Sequence, residues 1–167
     1  ALAIGRSNRD YGFLMKAWEK INCKLVIISD TCSLLSNNPN VIIIKDVTGD
    51  AQYPYIRHCA ALILPILDGD IPSGDTVLLT SMSFKKKVVV TVPSTLGEMY
   101  IKNEENGLLV AKRDESFVAL MQKILFTPYY DYLEDAARKA FLKDFSRESL
   151  GANIGGYLRD AGNVFQY

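Results

Sequence analysis

The chain holds 167 residues, 49% of them hydrophobic, with nineteen basic side chains against nineteen acidic ones. That length suits one domain burying roughly two-thirds of the surface its unfolded form exposes, with no need of disulfide or metal staples. Zero net charge leaves no long-range field to gather nucleic acid or an anionic membrane, so no nucleic-acid partner is expected and any anion must be held locally.

Six short apolar runs recur along the chain: LAIG (2 to 5), KLVIIS (24 to 29), VIIIK (41 to 45), ALILPI (61 to 66), KVVVTV (87 to 92) and GLLVA (107 to 111). They are continuous and β-branched rather than alternating, the pattern of parallel strands covered on both faces. The first begins at once, without Met, which reads as a piece cut from a longer protein. It runs into Gly5-Arg6-Ser7-Asn8-Arg9-Asp10, where Asp10 can cap a helix with Phe13, Leu14, Ala17, Trp18 and Ile21 on one face. This loop is not GxGxxG, so the dinucleotide fingerprint is absent. In its place stand Arg6 and Arg9, a pair suited to bidentate grip on a diphosphate, or to nothing more than a solvated loop.

After the third strand, Tyr53, Ile56, Cys59 and Ala60 mark a short helix, with Pro54 tolerated in its first turn and His58 inside it as a structural residue. The fourth strand ends in the loop LDGDIPSGDT, and a helix opens at Asp75 or Thr76, packed through Val77, Leu78, Ser81 and Met82. Gly74 lets backbone approach a ligand there, and the helix N-terminus favours an anion. Asp68-Gly69-Asp70 reads as a turn more than as a metal site. From Asp114 onward the pattern is helical: a helix capped by Asp114 and packed through Phe117, Val118, Leu120, Met121, Ile124 and Leu125, a break at TPYYDY, a helix over 133 to 142, and a last one carrying Leu150, Ile154, Tyr157, Leu158 and Ala161. The expected fold class is α/β, a Rossmann-like doubly wound parallel sheet of about six strands with C-terminal helices, its ligand site at the strands' carboxyl ends. Cys23, Cys32 and Cys59 form no CxxC pair and no metal-like spacing with His58, which points to a reducing, cytoplasmic setting and no resident metal. No apolar run reaches the ~18 residues of a membrane span.

The motifs AIGR (3 to 6), PSGDTVLLTSM (72 to 82), KKKVVVT (85 to 91) and ENGLLV (105 to 110) occur in the order and spacing of one known group. The chain resembles the C-terminal, nucleotide-sugar-binding domain of GT-B glycosyltransferases of the family 4 type over about residues 2 to 145. The resemblance implies a donor domain that binds a nucleoside-diphosphate sugar without a cofactor and transfers the glycosyl group to a saccharide or lipid-linked acceptor. It implies a missing N-terminal acceptor domain as partner, and for the full-length enzyme a place at the inner face of a membrane. The isolated piece would then be inactive, and the last helix, with Tyr157, Leu158 and Phe165, would pack toward the missing domain.

By the same resemblance Arg6 matches the arginine that neutralises the donor diphosphate, and Ser73, Gly74, Asp75 and Thr76 match the loop that meets phosphate and sugar. Val47 stands where main chain meets the base, and Glu98 matches a glutamate after the fifth strand, or serves only as a first-turn acid of a helix. The departures are equally specific. Thr80 and Asp70 or Ile71 replace the family's paired glutamates, Tyr11 replaces a lysine whose charge Arg9 would supply, and Lys85-Lys86-Lys87 replaces Gly-Lys-Pro as a surface turn. The alternative is a degenerate, non-catalytic α/β module that serves nucleotide binding or assembly.

Overall fold

The computed structural model describes residues 1–164, with side chains of the last helix described through Arg159. Six strands form one parallel sheet: β1 (Leu2–Ile4), β2 (Leu25–Ile28), β3 (Val41–Ile44), β4 (Ala61–Leu64), β5 (Lys87–Val92) and β6 (Leu108–Ala111). Their order in the sheet is β3-β2-β1-β4-β5-β6. The chain thus winds outward from β1 in one direction and then from β4 in the other, and the winding reverses between β1 and β4, whose carboxyl ends are where a doubly wound sheet places its ligand crevice.

Alternation along the strands divides the core in two. Ala3, Ile27, Ile63, Val89 and Val110 face one layer, built from α1 (Tyr11–Trp18) and α5 (Asp114–Phe126). Leu2, Ile4, Leu62, Leu64, Val88 and Val90 face the other, built from α2 (Tyr53–His58), α3 (Asp75–Ser83) and α4 (Thr95–Tyr100). Every residue of β4 is buried, as a central strand covered on both faces requires. The edge strand β3 departs from the expectation of two covered faces: none of its residues is fully buried, and Ile42 is exposed. After α5, a 3-10 turn over Pro128–Tyr130 drops Tyr130 into the core, which is the break expected at TPYYDY.

α6 (Tyr132–Ala140) gives way to a π turn over Phe141–Phe145, so the helix expected to Leu142 stops at Ala140, and α7 (Arg147–Val164) follows. Phe165 lies outside the described residues.

Three local expectations are corrected. The N-cap of α5 is Arg113, and Asp114 instead sits in the first turn, where its charge still suits the helix dipole. His58 is the last residue of α2 and exposed rather than in mid-helix, because the chain leaves the helix at Cys59 on its way into β4. The lysine run is a turn only at Lys85 (φ 59°). Lys87 begins β5, as the run KVVVTV implied, and is buried, with Nζ 2.7 Å from Asp131 and 3.8 Å from Glu134. The ammonium is there because α6 brings carboxylates to it, and a buried cation without them would be costly.

Candidate functional site

The two loops flanking the crevice are laced together. Asp10 N–H donates to the Pro65 carbonyl at 2.6 Å, and Leu67 N–H donates to the Asn8 carbonyl at 3.3 Å. Asn8 takes a left-handed conformation (φ 54°), which Asn tolerates better than most residues, and its side chain staples the opposite loop. The Asn8 Nδ2 group donates to Asp68 O and Ile71 O, and Oδ1 accepts the Asp68 N–H. On the far side Gly69 O accepts from both the amide and the hydroxyl of Thr95, and a Cβ on Gly69 would strike Pro93 O at 2.6 Å. Lys112 closes the rim, donating to Leu67 O at 3.0 Å and pairing with Asp10 at 3.3 Å.

Asp68 spends a carboxylate oxygen on the Asp70 N–H at 3.0 Å, the contact of a turn. Among the described residues no group of three or more His, Cys, Asp or Glu side chains could hold a metal ion.

Within this frame lies Arg9. Its Nε donates to Ile4 O at 3.2 Å, and Nη1 donates to Ser7 O at 3.1 Å, Asn8 O at 3.3 Å and Ser73 Oγ at 3.3 Å. The guanidinium sits between two glycines in backbone conformations that other residues rarely adopt. A Cβ on Gly5 (φ 153°) would fall 2.7 Å from Arg9 Nε, and one on Gly74 (φ 111°) would fall 2.5 Å from Nη2. All four oxygens that Arg9 meets are uncharged, and no carboxylate reaches it among the described residues. Burial accordingly pulls its pKa below the ordinary value of 12.5, although an arginine starts so high that the charge remains.

Gly74 is also the N-cap of α3, so the amides of that helix's first turn begin beside the guanidinium. Tyr11 supports the other wall: its hydroxyl donates to Gly5 O at 2.7 Å, and burial raises the phenol to about 12 against opposing help from Ser29 and Arg9.

Arg6 turns the opposite way. Its Nη2 lies 2.7 Å from Asp30 Oδ2 at the end of β2, and its carbonyl accepts from the Thr31 hydroxyl. Asp30 Oδ1 accepts the Asp46 N–H at 2.7 Å, and Val47 O accepts from Gln52 Nε2 at 3.0 Å. Arg6, Asp30, Val47 and Gln52 thus close a second, narrow crevice over the ends of β1, β2 and β3.

Ser73 and Gly74 therefore stand with Arg9, whereas Arg6 and Val47 stand together on the other side of β1. Asp75 and Thr76 are exposed in the first turn of α3. Thr80 lies further along that helix, about 9 Å from Gly74 at 1.5 Å per residue, and its carbonyl takes the Ser83 hydroxyl. Glu98 is exposed in the first turn of α4, capped by Ser94. Met99 and Tyr100 of α4, with Leu96, Pro72, Ser73 and Asp75, line a crevice of about 310 Å³ on the outer side of the Ser-Gly loop.

Four side chains at this edge had no role in the sequence reading: Asn8, Asp30, Gln52 and Lys112. Only Asn8 carried a local signal, an Asn inside a loop between strand and helix. The others act through tertiary contacts that spacing does not reveal.

Comparison with solved structures places the same fold in several transferases. Sucrose-phosphate synthase from Thermosynechococcus elongatus superposes with a TM-score of 0.75 at 19% identity, over 98% of this chain and 46% of that one. Anabaena Alr3699/HepE, solved with UDP-glucose, gives 0.75 at 13% identity over 95% and 48%. The C-terminal domain of the glycosyl transferase group 1 family protein LpcC from Francisella tularensis gives 0.66 at 14% identity over 87% and 86%. The chain thus spans about half the length of the first two proteins and most of an isolated C-terminal domain. No curated protein matches it in sequence at a significant level. Among the described residues no helix is long and apolar enough to cross a membrane. The sequence pattern of the glycosyl transferases group 1 matches residues 1–126, three-quarters of the chain, and the chain belongs to that family.

Proposed function

We propose that this chain is the donor-binding domain of a two-domain GT-B glycosyltransferase, and that it seats the diphosphate of a nucleotide sugar at Arg9, Ser73, Gly74 and the N-terminus of α3. One observation carries the reading: a half-buried guanidinium, ringed by neutral oxygens, held between Gly5 and Gly74 where the winding of the sheet reverses. A cation partly withdrawn from water and left without a counter-charge gains from an incoming anion. The helix amides beside it add to the same field. Anabaena Alr3699/HepE, similar in fold, was solved with UDP-glucose, which makes UDP the first ligand to try.

In transfer, charge develops on the departing nucleoside diphosphate as the glycosyl bond breaks. Donors already fixed at that point lower the barrier because they need no reorganisation. Arg9 and the Ser73–Gly74 backbone are those donors here. The acceptor would be held by a second domain, a reading supported by the chain spanning only about half the length of the two neighbours. On α7, Leu150, Ile154, Tyr157 and Leu158 form an exposed apolar stripe at helical spacing that suits packing against such a domain.

The competing reading is a degenerate module. It draws on Thr80, which offers a hydroxyl where the family pattern has a carboxylate, and on the closed crevice beside Val47. Calorimetric titration with UDP and GDP separates the two. The donor reading expects binding that Arg9→Ala removes, and millimolar nucleotide leaving the unmutated chain unbound would count decisively against it.

A further inference from the structure

We propose that Gln52 is a stand-in for the donor's base: its carboxamide occupies the hydrogen-bonding place of a base N–H on the Val47 carbonyl and must be displaced before nucleotide is fully bound. The proposal rests on the donor-site reading above. A nucleoside diphosphate anchored between Gly5 and Gly74 lays its ribose and base along the carboxyl edge of the sheet. On the β2–β3 side that edge offers the crevice lined by Ile4, Gly5, Ile28, Ser29, Val47 and Gln52. It starts at Gly5, the same residue that walls Arg9.

The crevice holds only about 20 Å³, room for little more than one water and far less than a nucleobase. What closes it is polar and local. The chain leaves β3 through Asp46 (φ 61°) and Gly49 (φ 56°), both left-handed, and reverses into the 3-10 turn Gly49–Gln52. That reversal brings Gln52 Nε2 within 3.0 Å of the carbonyl five residues behind it. Gln52 is half-buried and closes one side of the gap, while the Arg6–Asp30 pair closes another.

A ring or exocyclic N–H of a base satisfies the Val47 carbonyl as well as a carboxamide N–H does, so the exchange leaves no acceptor stranded. Exchange between equals is competition. The fraction of molecules with Gln52 turned out scales the apparent affinity for nucleotide. Inorganic pyrophosphate, which needs only the Arg9 side, escapes that penalty. Gln52 is therefore a specificity-determining residue that weakens ligands carrying a base relative to bare diphosphate until the base supplies the replacing N–H.

The test is calorimetric titration of the 167-residue chain and its Gln52→Ala variant with pyrophosphate, UDP, GDP and ADP. Gln52→Ala is expected to tighten the best-bound nucleoside diphosphate about fivefold, the worth of one neutral hydrogen bond, and to leave pyrophosphate unchanged. Pyrophosphate binding with no gain, or a loss, for every nucleotide in the variant overturns the proposal. A second measurement needs no variant. In the unmutated chain the Gln52 side-chain amide resonances should shift on adding nucleotide and stay in place on adding pyrophosphate; resonances unmoved by bound nucleotide overturn it. If neither protein binds pyrophosphate or any nucleotide, the donor-site reading itself fails and this inference falls with it.

Discussion

Arg6 and Arg9 leave the same loop three residues apart, yet Arg6 closes on the Asp30 carboxylate at 2.7 Å while Arg9 is ringed by uncharged oxygens. The first arrangement is complete as it stands, and an exposed ion pair of that kind contributes little to stability. The second leaves charge unspent inside the protein. On the proposed donor reading, the missing counter-charge is what sets Arg9 apart from Arg6 as the anion ligand. The largest expected effect follows directly: Arg9→Ala should weaken diphosphate binding about a hundredfold, since it removes charge-assisted bonds from a desolvated site. Arg6→Ala should cost only a few-fold. Equal losses for the two variants in calorimetry would erase the distinction between the loops.

Gly74 sharpens the comparison from the backbone side. Gly74→Ala would force a Cβ into a left-handed position (φ 111°), 2.5 Å from the guanidinium. Arg9 would have to move, and diphosphate affinity should fall about thirtyfold while affinity for a base-only ligand such as uridine is unchanged. The atoms nearest a Cβ on Gly74 belong to Arg9 and Leu96, so a parallel loss of uridine would show the two crevices to be one.

Tyr11 gives the same wall a pH signature. Its phenol, raised by burial to about 12 from an ordinary 10, favours the neutral form in the folded chain, so its contribution is whole below pH 10 and disappears as pH climbs toward 12. Cys59, raised by burial to about 11 from 9, adds a loss that begins about a unit lower. Stability to urea should hold to about pH 9 and then decline, with Tyr11 supplying on the order of 1–2 kcal/mol of the loss. Tyr11→Phe should flatten the upper part of that decline and lower stability near neutral pH by about 1 kcal/mol, the Gly5 carbonyl having lost its donor. An unchanged alkaline profile in the variant would remove Tyr11 from the account.

How legible all this was in the sequence differs between fold and site. Six apolar runs became six strands because a strand buried on both faces, as β4 is, can contain little that is polar. The loops at the carboxyl ends were legible as loops, and the Ser-Gly turn as a helix start. Pairing across them was not. Asp30 lies twenty-four residues from Arg6, and nothing in its neighbourhood announces that β2 will deliver it to that guanidinium. Lys87 misled for a related reason: in a run of three lysines it looks solvated, and only the arrival of α6, with Asp131 and Glu134, explains a buried ammonium at the mouth of a strand. The family pattern covers the first 126 residues, but how the loop around Tyr11 shares out its charges and hydrogen bonds is visible only in the folded geometry.

The smallest expected effect probes the complete pair itself. In Asp30→Asn the side-chain oxygen can still accept the Asp46 N–H, whereas the amide nitrogen cannot accept from Arg6. The loop should therefore keep its shape while Arg6, already more than half exposed, is released. If Arg6 is an anion ligand held in reserve, diphosphate affinity should rise about threefold in low salt and the gain should fade at high salt, as an exposed charge screened over roughly a Debye length requires. If Asp30 instead holds Arg6 where it already serves the ligand, the same substitution should lower affinity at every ionic strength. The sign of the change thus decides whether the second arginine waits for the donor or braces the crevice beside it.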